Sequence, residues 1–152
     1  MDKKDRTILS ILQNDAKLAI NEIAERVNLS STACWNRIQR LTEEGFIRQQ
    51  VCLLDSHKVG LGVTVFVSIK TNHHDLKWFR QFSLGVCDLP EVVEFYRMSG
   101  DTDYLLKVVV PDIAGFDRVY KKLIQIAELF DVSSSFAMEE LKYTTALPLD
   151  YV

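Results

Sequence analysis

Between Ile20 and Leu41 two apolar rows at helical spacing are parted by a break of three residues, and no other feature of the chain constrains its fold as much. The first row is Ile20, Ile23, Ala24 and Val27; the second, led by Leu29 from within the break, is Cys34, Ile38 and Leu41. In the break, Asn28-Leu29-Ser30, Asn28 tolerates the left-handed conformation that ends a helix, and Ser30 can cap the next. The spacing therefore predicts a helix from about Ser31 to Glu44, closed by Gly45. Ala24 is small enough to let the two helices cross closely. Upstream, "DKKDRTILSILQND" carries a further stripe of Ile8, Leu9, Ile11 and Leu12, with Asp2 as its N-cap. The middle helix is marked more weakly. Ala19 stands where a hydroxyl cap is expected, although Glu22 is placed as in a capping box.

Three helices with this short break form a helix-turn-helix. At about 100° per residue, Thr32, Asn36, Gln39, Arg40 and Glu43 fall on the face of the third helix opposite its apolar row. Ser30 and Ser31 stand at its N-terminus, where free backbone N–H groups and the positive dipole end suit a phosphate. Asn36, Gln39 and Arg40 are side chains that read base edges in the major groove, and Arg37 adds charge beside them. The candidate DNA-contacting set is Ser30, Ser31, Thr32, Asn36, Arg37, Gln39 and Arg40, and the partner is double-stranded DNA. The following "GFIRQQVCLLD" alternates as a strand pair and suits a wing. A three-helix bundle showing this face to solvent or to a protein is the competing reading. Cys34 reads as a small core residue and Trp35 as a packing residue at the helix flank.

Charge is compatible with a DNA-reading head. Residues 1–55 carry eight Lys+Arg and eight Asp+Glu, and the remainder ten and thirteen, so the net charge of −3 belongs to the C-terminal part. Arg26, Arg37, Arg40 and Arg48 bunch late in the neutral part, and nearby charges dominate because salt screens distant ones. The cysteines, Cys34, Cys52 and Cys87, are odd in number and lack CxxC spacing. That argues for a reducing compartment, against a disulfide frame and against a structural metal site. No apolar run approaches the ~20 residues of a membrane span, and "MDKKDRTILS" lacks the apolar core of a secretory leader. The expected location is the cytoplasm.

Residues 51–62, ending in "SHKVGLG", read as a linker, and residues 63–152 as a second domain. "VTVFVSIKT" alternates Val63, Val65, Val67 and Ile69 on one face. "DLKWFRQFSLGV" is helical, with Leu76, Phe79 and Phe82 inward. "EVVEFYRMS" (91–99) and "YLLKVVV" (104–110) are strands joined by "GDTD". "IAGFDRVYKKLIQIA" is amphipathic through Phe116, Val119, Tyr120, Leu123 and Ile126, and "VSSSFAMEELKYT" (132–144) is the last strand. The fold class is thus α+β: an N-terminal (winged) helix-turn-helix, residues 1–50, joined to a ferredoxin-like βαββαβ domain. Helices cover one sheet face, and a partner chain is the simplest cover for the other.

These segments in this order resemble the leucine-responsive regulator/AsnC (feast/famine) family of transcription regulators. The resemblance rests on "EIAERVNLSSTACWNRIQRLTEEGFIRQ", the connector "CLLDSHKVGLG", "MSGDTDYLLKVVV" and the closing "KYTTALPL", and spans nearly the whole chain. "TACWNRIQRL" and "SSFAMEELKYTTALPL" are similar to a subgroup that includes a cysteine-responsive regulator. The resemblance implies a homodimer that binds DNA through its helix-turn-helix regions, associated with the bacterial nucleoid. It also implies pairing through the C-terminal domain and assembly into rings, commonly octamers. It further implies a small effector, usually an amino acid, bound between dimers. By position the effector loop is Met98, Ser99, Gly100, Asp101, Thr102, Asp103 and Tyr104, with the hydroxyls of Ser133, Ser134 and Ser135 nearby. Ala19 and Trp35 depart from the family's usual hydroxyl cap and leucine, and Trp35 is expected to shift the seat of the recognition helix.

The loop has suitable chemistry. Gly100 lets the backbone approach a ligand, Asp101 and Asp103 can accept from an ammonium, and turn N–H groups can hold a carboxylate. By themselves the residues favour a plain hairpin turn, since "GDTD" is good turn chemistry; the resemblance reverses that preference. Two competing classes remain. A passive architectural DNA protein would bind DNA indifferently to amino acids. A small ferredoxin-like enzyme would use Asp101 and Asp103 as an acid/base pair or a cation site. Against the enzyme, no third ligand is marked, His57, His73 and His74 fall in loops elsewhere, and no nucleophile–base motif or Gly-rich phosphate loop occurs. His73-His74 reads as a solvated loop. No catalytic residue, metal or cofactor is expected.

Overall fold

The computed structural model describes residues 1–73 and 75–151; His74, read above as solvated loop, lies outside them. The chain divides into two compact units. One comprises Met1–Leu53 with the segment from Leu141 onward, the other Leu54–Glu140.

The first unit is built on α1 (Lys3–Asn14), α2 (Ile20–Arg26) and α3 (Ser31–Glu43). Asp2 caps α1: its carboxylate accepts from Asp5 N at 2.8 Å, and its own N–H donates to Asp5 Oδ2 at 3.0 Å. α2 has half of that device, since Ala19 offers no acceptor and only its N–H is held, by Glu22 Oε2 at 3.0 Å. Asn28 adopts φ 52°, the left-handed turn between α2 and α3, and Ser30 Oγ accepts from Ala33 N at 3.2 Å to start α3. Ile8, Ile23, Ala24, Val27, Cys34 and Leu41 form the buried core, with Leu9, Leu29, Ile38 and Ile47 packed against it. Every residue the periodicity points inward belongs to this cluster or borders it, Ile20 excepted.

After Gly45 (φ 79°) the N–H groups of Phe46 and Ile47 both bond back to Leu41 O, at 2.9 and 3.2 Å. The segment beyond, where a wing is expected, pairs into no strand within the described chain. The C-terminal segment belongs to this unit through α1. Gln13 Nε2 donates to Leu147 O and Gln13 Oε1 accepts from Leu147 N, each at 2.9 Å.

The second unit holds β1 (Val63–Lys70), α4 (Leu76–Cys87), β2 (Val92–Arg97), β3 (Tyr104–Val110), α5 (Ile113–Ile126) and β4 (Asp131–Phe136). The strands form one antiparallel sheet in the order β2-β3-β1-β4. β3 alternates buried and half-buried at every step, as a strand with one covered face must. Val65, Val67, Ile69, Leu106, Val108 and Val110 face α4 and α5. Phe66, Tyr96, Leu105 and Val109 lie on the uncovered face, the first two exposed.

Two local expectations shift. Leu76, expected inward, is exposed, because the buried row of α4 is Trp78, Phe82 and Val86 at i, i+4 steps; the Trp78 indole N–H reaches Glu128 O at 3.1 Å. The last strand ends at Phe136 rather than near 144, where its ladder to β1 runs out. No helix among the described residues is long and apolar enough to cross a membrane.

Candidate functional site

α3 presents the expected face. Ser30, Ser31, Thr32, Asn36, Gln39 and Arg40 are exposed, while Cys34 and Leu41 turn inward. Burial raises the Cys34 thiol's pKa and keeps it in the neutral form. Trp35, expected to pack at the flank, keeps 47% of its surface and lines an open groove with Ile20, Ser31 and Thr32. Trp35 follows Ser31 by four residues on α3, in the row that continues to Gln39.

The two arginines are not free side chains. Arg37 Nη1 donates to Asp2 Oδ2 at 2.6 Å and Asp5 Oδ1 at 2.7 Å, and Arg40 Nη2 donates to Asp5 Oδ2 at 2.7 Å. Asp5 is buried, whereas the Arg37 and Arg40 side chains keep 29% and 48% of their surface. Arg37 therefore ties α1 to α3. Arg40 is anchored by Asp5 and has Glu44 Oε1 4.0 Å from its Nε, yet it keeps enough exposed surface to meet a base or phosphate. Burial pushes the Asp5 carboxyl up, but the Asp2 N–H and the two guanidiniums outweigh it and hold its pKa below the ordinary carboxylate value. The N-terminal carboxylates carry no motif of their own. The only sequence signal for this network was the N-cap position of Asp2.

The loop between β2 and β3 is pinned at its base. Met98 N donates to Asp103 O at 2.8 Å, and Asp103 N donates to Ile69 O at 3.0 Å. Asp103 Oδ2 accepts from Thr71 N at 2.8 Å, so one oxygen of this carboxylate holds the chain just past β1. Asp101 is exposed and ion-paired to Lys70 Nζ at 2.7 Å; that bond raises the lysine pKa. Gly100 has φ 112°, and nothing lies within 4 Å of where a Cβ would stand. Met98, Ser99 and Thr102 complete the rim, with Thr102 half-buried.

Two residues grouped with this loop point elsewhere. Tyr104 is the first residue of β3, and its ring lies in the core against Phe82 and Phe95, at centroid distances of 5.1 and 5.8 Å. Ser134 pairs with Val67 and shares that residue's helix-covered face. Ser133 and Ser135 lie opposite Ser68 and Phe66 on the other face, Ser133 nearer the loop. Strand alternation prevents three consecutive serines from converging on one ligand. Lys70, the last residue of β1, stands at the loop instead.

Two family profiles divide the chain between them: "Winged helix-turn-helix DNA-binding" matches residues 1–48, and "Lrp/AsnC ligand binding domain" matches residues 64–147. The chain belongs to the Lrp/AsnC family. It is a DNA-binding transcription regulator built as a helix-turn-helix followed by a ligand-binding-type α/β domain. It is similar to the DNA-binding transcriptional activator DecR of Escherichia coli, with 48% identity over 151 residues and 99% of each chain covered. Among solved structures it matches an AsnC family transcriptional regulator from Agrobacterium tumefaciens at 60% identity, TM-score 0.96 and 99% of both chains. It also matches a transcriptional regulator of Neisseria meningitidis in complex with L-Met, at 34% identity and TM-score 0.94, covering 99% of this chain and 98% of that one. These relatives are named as regulators, not as enzymes. Among the described residues no group of three or more His, Cys, Asp or Glu could hold a metal ion.

Proposed function

We propose that this protein reads operator DNA in the cytoplasm as a homodimer or a ring of dimers such as an octamer, and that an amino acid bound at the loop 98–103 shifts its assembly or its hold on DNA. The exposed, Ser30-capped face of α3 carries the reading of DNA, through Ser31, Thr32, Asn36, Gln39 and Arg40. A single head makes few phosphate contacts and binds weakly. Two heads meet half-sites one helical turn or a multiple apart, and further dimers raise the effective concentration. Support for a dimer comes from the uncovered sheet face, where Phe66 and Tyr96 stand exposed beside Leu105 and Val109.

The Lys70–Asp101 pair supports an amino acid as effector. A zwitterion matches it charge for charge: the ammonium meets Asp101, and the carboxylate meets Lys70 or a loop N–H. The Neisseria relative's L-Met complex supports the same ligand class. An effector acts only through its different affinity for two assembly states.

The test is binding of the purified protein to the DNA upstream of its own gene, by gel shift at fixed salt, with millimolar single amino acids, cysteine and methionine included. A shift with one amino acid identifies the effector. Binding indifferent to all of them overturns the sensing reading and favours a passive architectural role. No preference over random DNA overturns the reading of operators by α3.

A further inference from the structure

We propose that the groove between Ile20 and Trp35 receives the 5-methyl group of a thymine in the major groove, so that these two residues help set which sequence the protein prefers. The proposal rests on the reading of DNA by α3 and concerns side chains that the polar recognition set leaves out.

The groove is lined by Ile20, Ser31, Thr32 and Trp35. Ile20 opens α2, while Ser31 and Thr32 open α3. Residues at the start of a recognition helix are those that come closest to base edges. On α3, Ser31, Trp35 and Gln39 follow one another at i, i+4 steps, and Thr32, Asn36 and Arg40 form the adjacent row. Trp35 thus stands at the edge of the polar reading face, between Ser31 and Gln39. The indole is 47% exposed and Ile20 36%, and neither belongs to the buried core of the helical unit.

Apart from the indole N–H, which can donate a hydrogen bond, the apolar surface at this point gains nothing from water or phosphate. Among the groups that the major groove presents, the donors and acceptors match Asn36, Gln39 and Arg40, and only the thymine methyl is apolar. Bases in an intact duplex are stacked on one another, so the indole meets a base edge and not a ring face. Ile20, Thr32 and Trp35 line a place where a methyl group can lie, and Gln39 follows Trp35 along the same row of α3.

The experiment begins with selection of duplexes from a random pool by the full-length protein at fixed salt. Each thymidine of the enriched site is then replaced singly by deoxyuridine, which removes the methyl and leaves every hydrogen-bonding group in place. One position in each half-site should lose about four-fold in affinity, the factor for burying one methyl-sized group. W35A and I20S should bind the thymidine and deoxyuridine sites equally at that position, with an unchanged salt slope, since phosphate contacts are untouched. The wild-type comparison needs no mutant, so a misfolded variant does not decide the matter. Deoxyuridine that is neutral at every position overturns the proposal, as does W35A that keeps the discrimination. A pool with no enriched sequence overturns the reading of DNA by α3, and this proposal with it.

Discussion

Arg37 Nη1 lies 2.7 Å from Oδ1 of Asp5, a carboxylate only 1% exposed, and the two residues stand 32 positions apart in the chain. The other oxygen of Asp5 accepts from Arg40 and from the Asp2 N–H. One buried acid therefore completes the capping box that Asp2 begins, fixes α1 to α3 and steadies two arginines of the recognition helix. Asp5→Ala removes all of these bonds at once. The expected loss is about 2–3 kcal/mol, below the full cost of a broken buried pair because both arginines can turn to water. A lower denaturant midpoint at unchanged slope would show it.

The same network sets an acid limit. The backbone N–H of Asp5, then Arg37, hold the Asp2 carboxyl at about 2, and Asp5 is also held below its ordinary value. Carboxyls with depressed folded-state pKa values stabilise the fold fully above the unfolded value near 4. They lose that contribution as pH falls through the folded value. The helical unit should thus weaken between about pH 4 and pH 2. Thermal unfolding followed across that range should show a flatter profile for Asp5→Asn than for the wild type.

Arg37 and Arg40 should separate in their effects on DNA. Arg40 stays 48% exposed, so Arg40→Ala should cost about 1–3 kcal/mol on the preferred site if it reads a base, and an equal amount on all sequences if it meets only phosphate. Arg37 is held by two carboxylates, so Arg37→Ala should appear first as lost stability. Titrations of both variants against specific and random duplexes, beside their unfolding curves, distinguish the two roles.

What the sequence made legible and what it did not divide along a physical line. Helical periodicity and caps are local, so Cys34, Leu41, the Ser30 cap and the left-handed Asn28 were all readable from spacing. Pairings between distant residues leave no periodic trace. Asp5 with Arg37, Lys70 with Asp101 and Gln13 with Leu147 join residues 31 to 134 positions apart. Positional resemblance brought Tyr104 and Ser134 to the effector loop, whereas strand alternation turns both towards the helices. Trp35 is legible only in part for a related reason: helical phase places its side chain on a flank without telling how far a neighbour covers it, and about half of it stays exposed.

Lys70 should matter for the effector and little for the fold. Asp101 is almost fully exposed, so solvent and salt screen its pair with Lys70, which contributes little to the fold. Lys70→Gln should leave the melting temperature nearly unchanged and weaken the responding amino acid by about 1.5–3 kcal/mol, the range for a charged hydrogen bond. Isothermal titration with that amino acid measures the loss. Unchanged affinity would remove Lys70 from the ligand site.

Gly100 gives the strictest test of the loop, because its requirement lies in the backbone alone. A Cβ at this position meets nothing within 4 Å, so no clash confuses the result, yet φ 112° is a conformation that a β-branched residue rarely adopts. Gly100→Val must either bear a strain of about 1–3 kcal/mol or move the turn. The loop lies outside the cores of both units, so the variant should fold and bind DNA as the wild type does without amino acid. The response to amino acid should vanish, since relaxation of the turn displaces Asp101 and the neighbouring N–H groups together. Dose–response curves on one DNA fragment, wild type beside variant, decide it: a normal response in Gly100→Val would mean that the effector binds elsewhere.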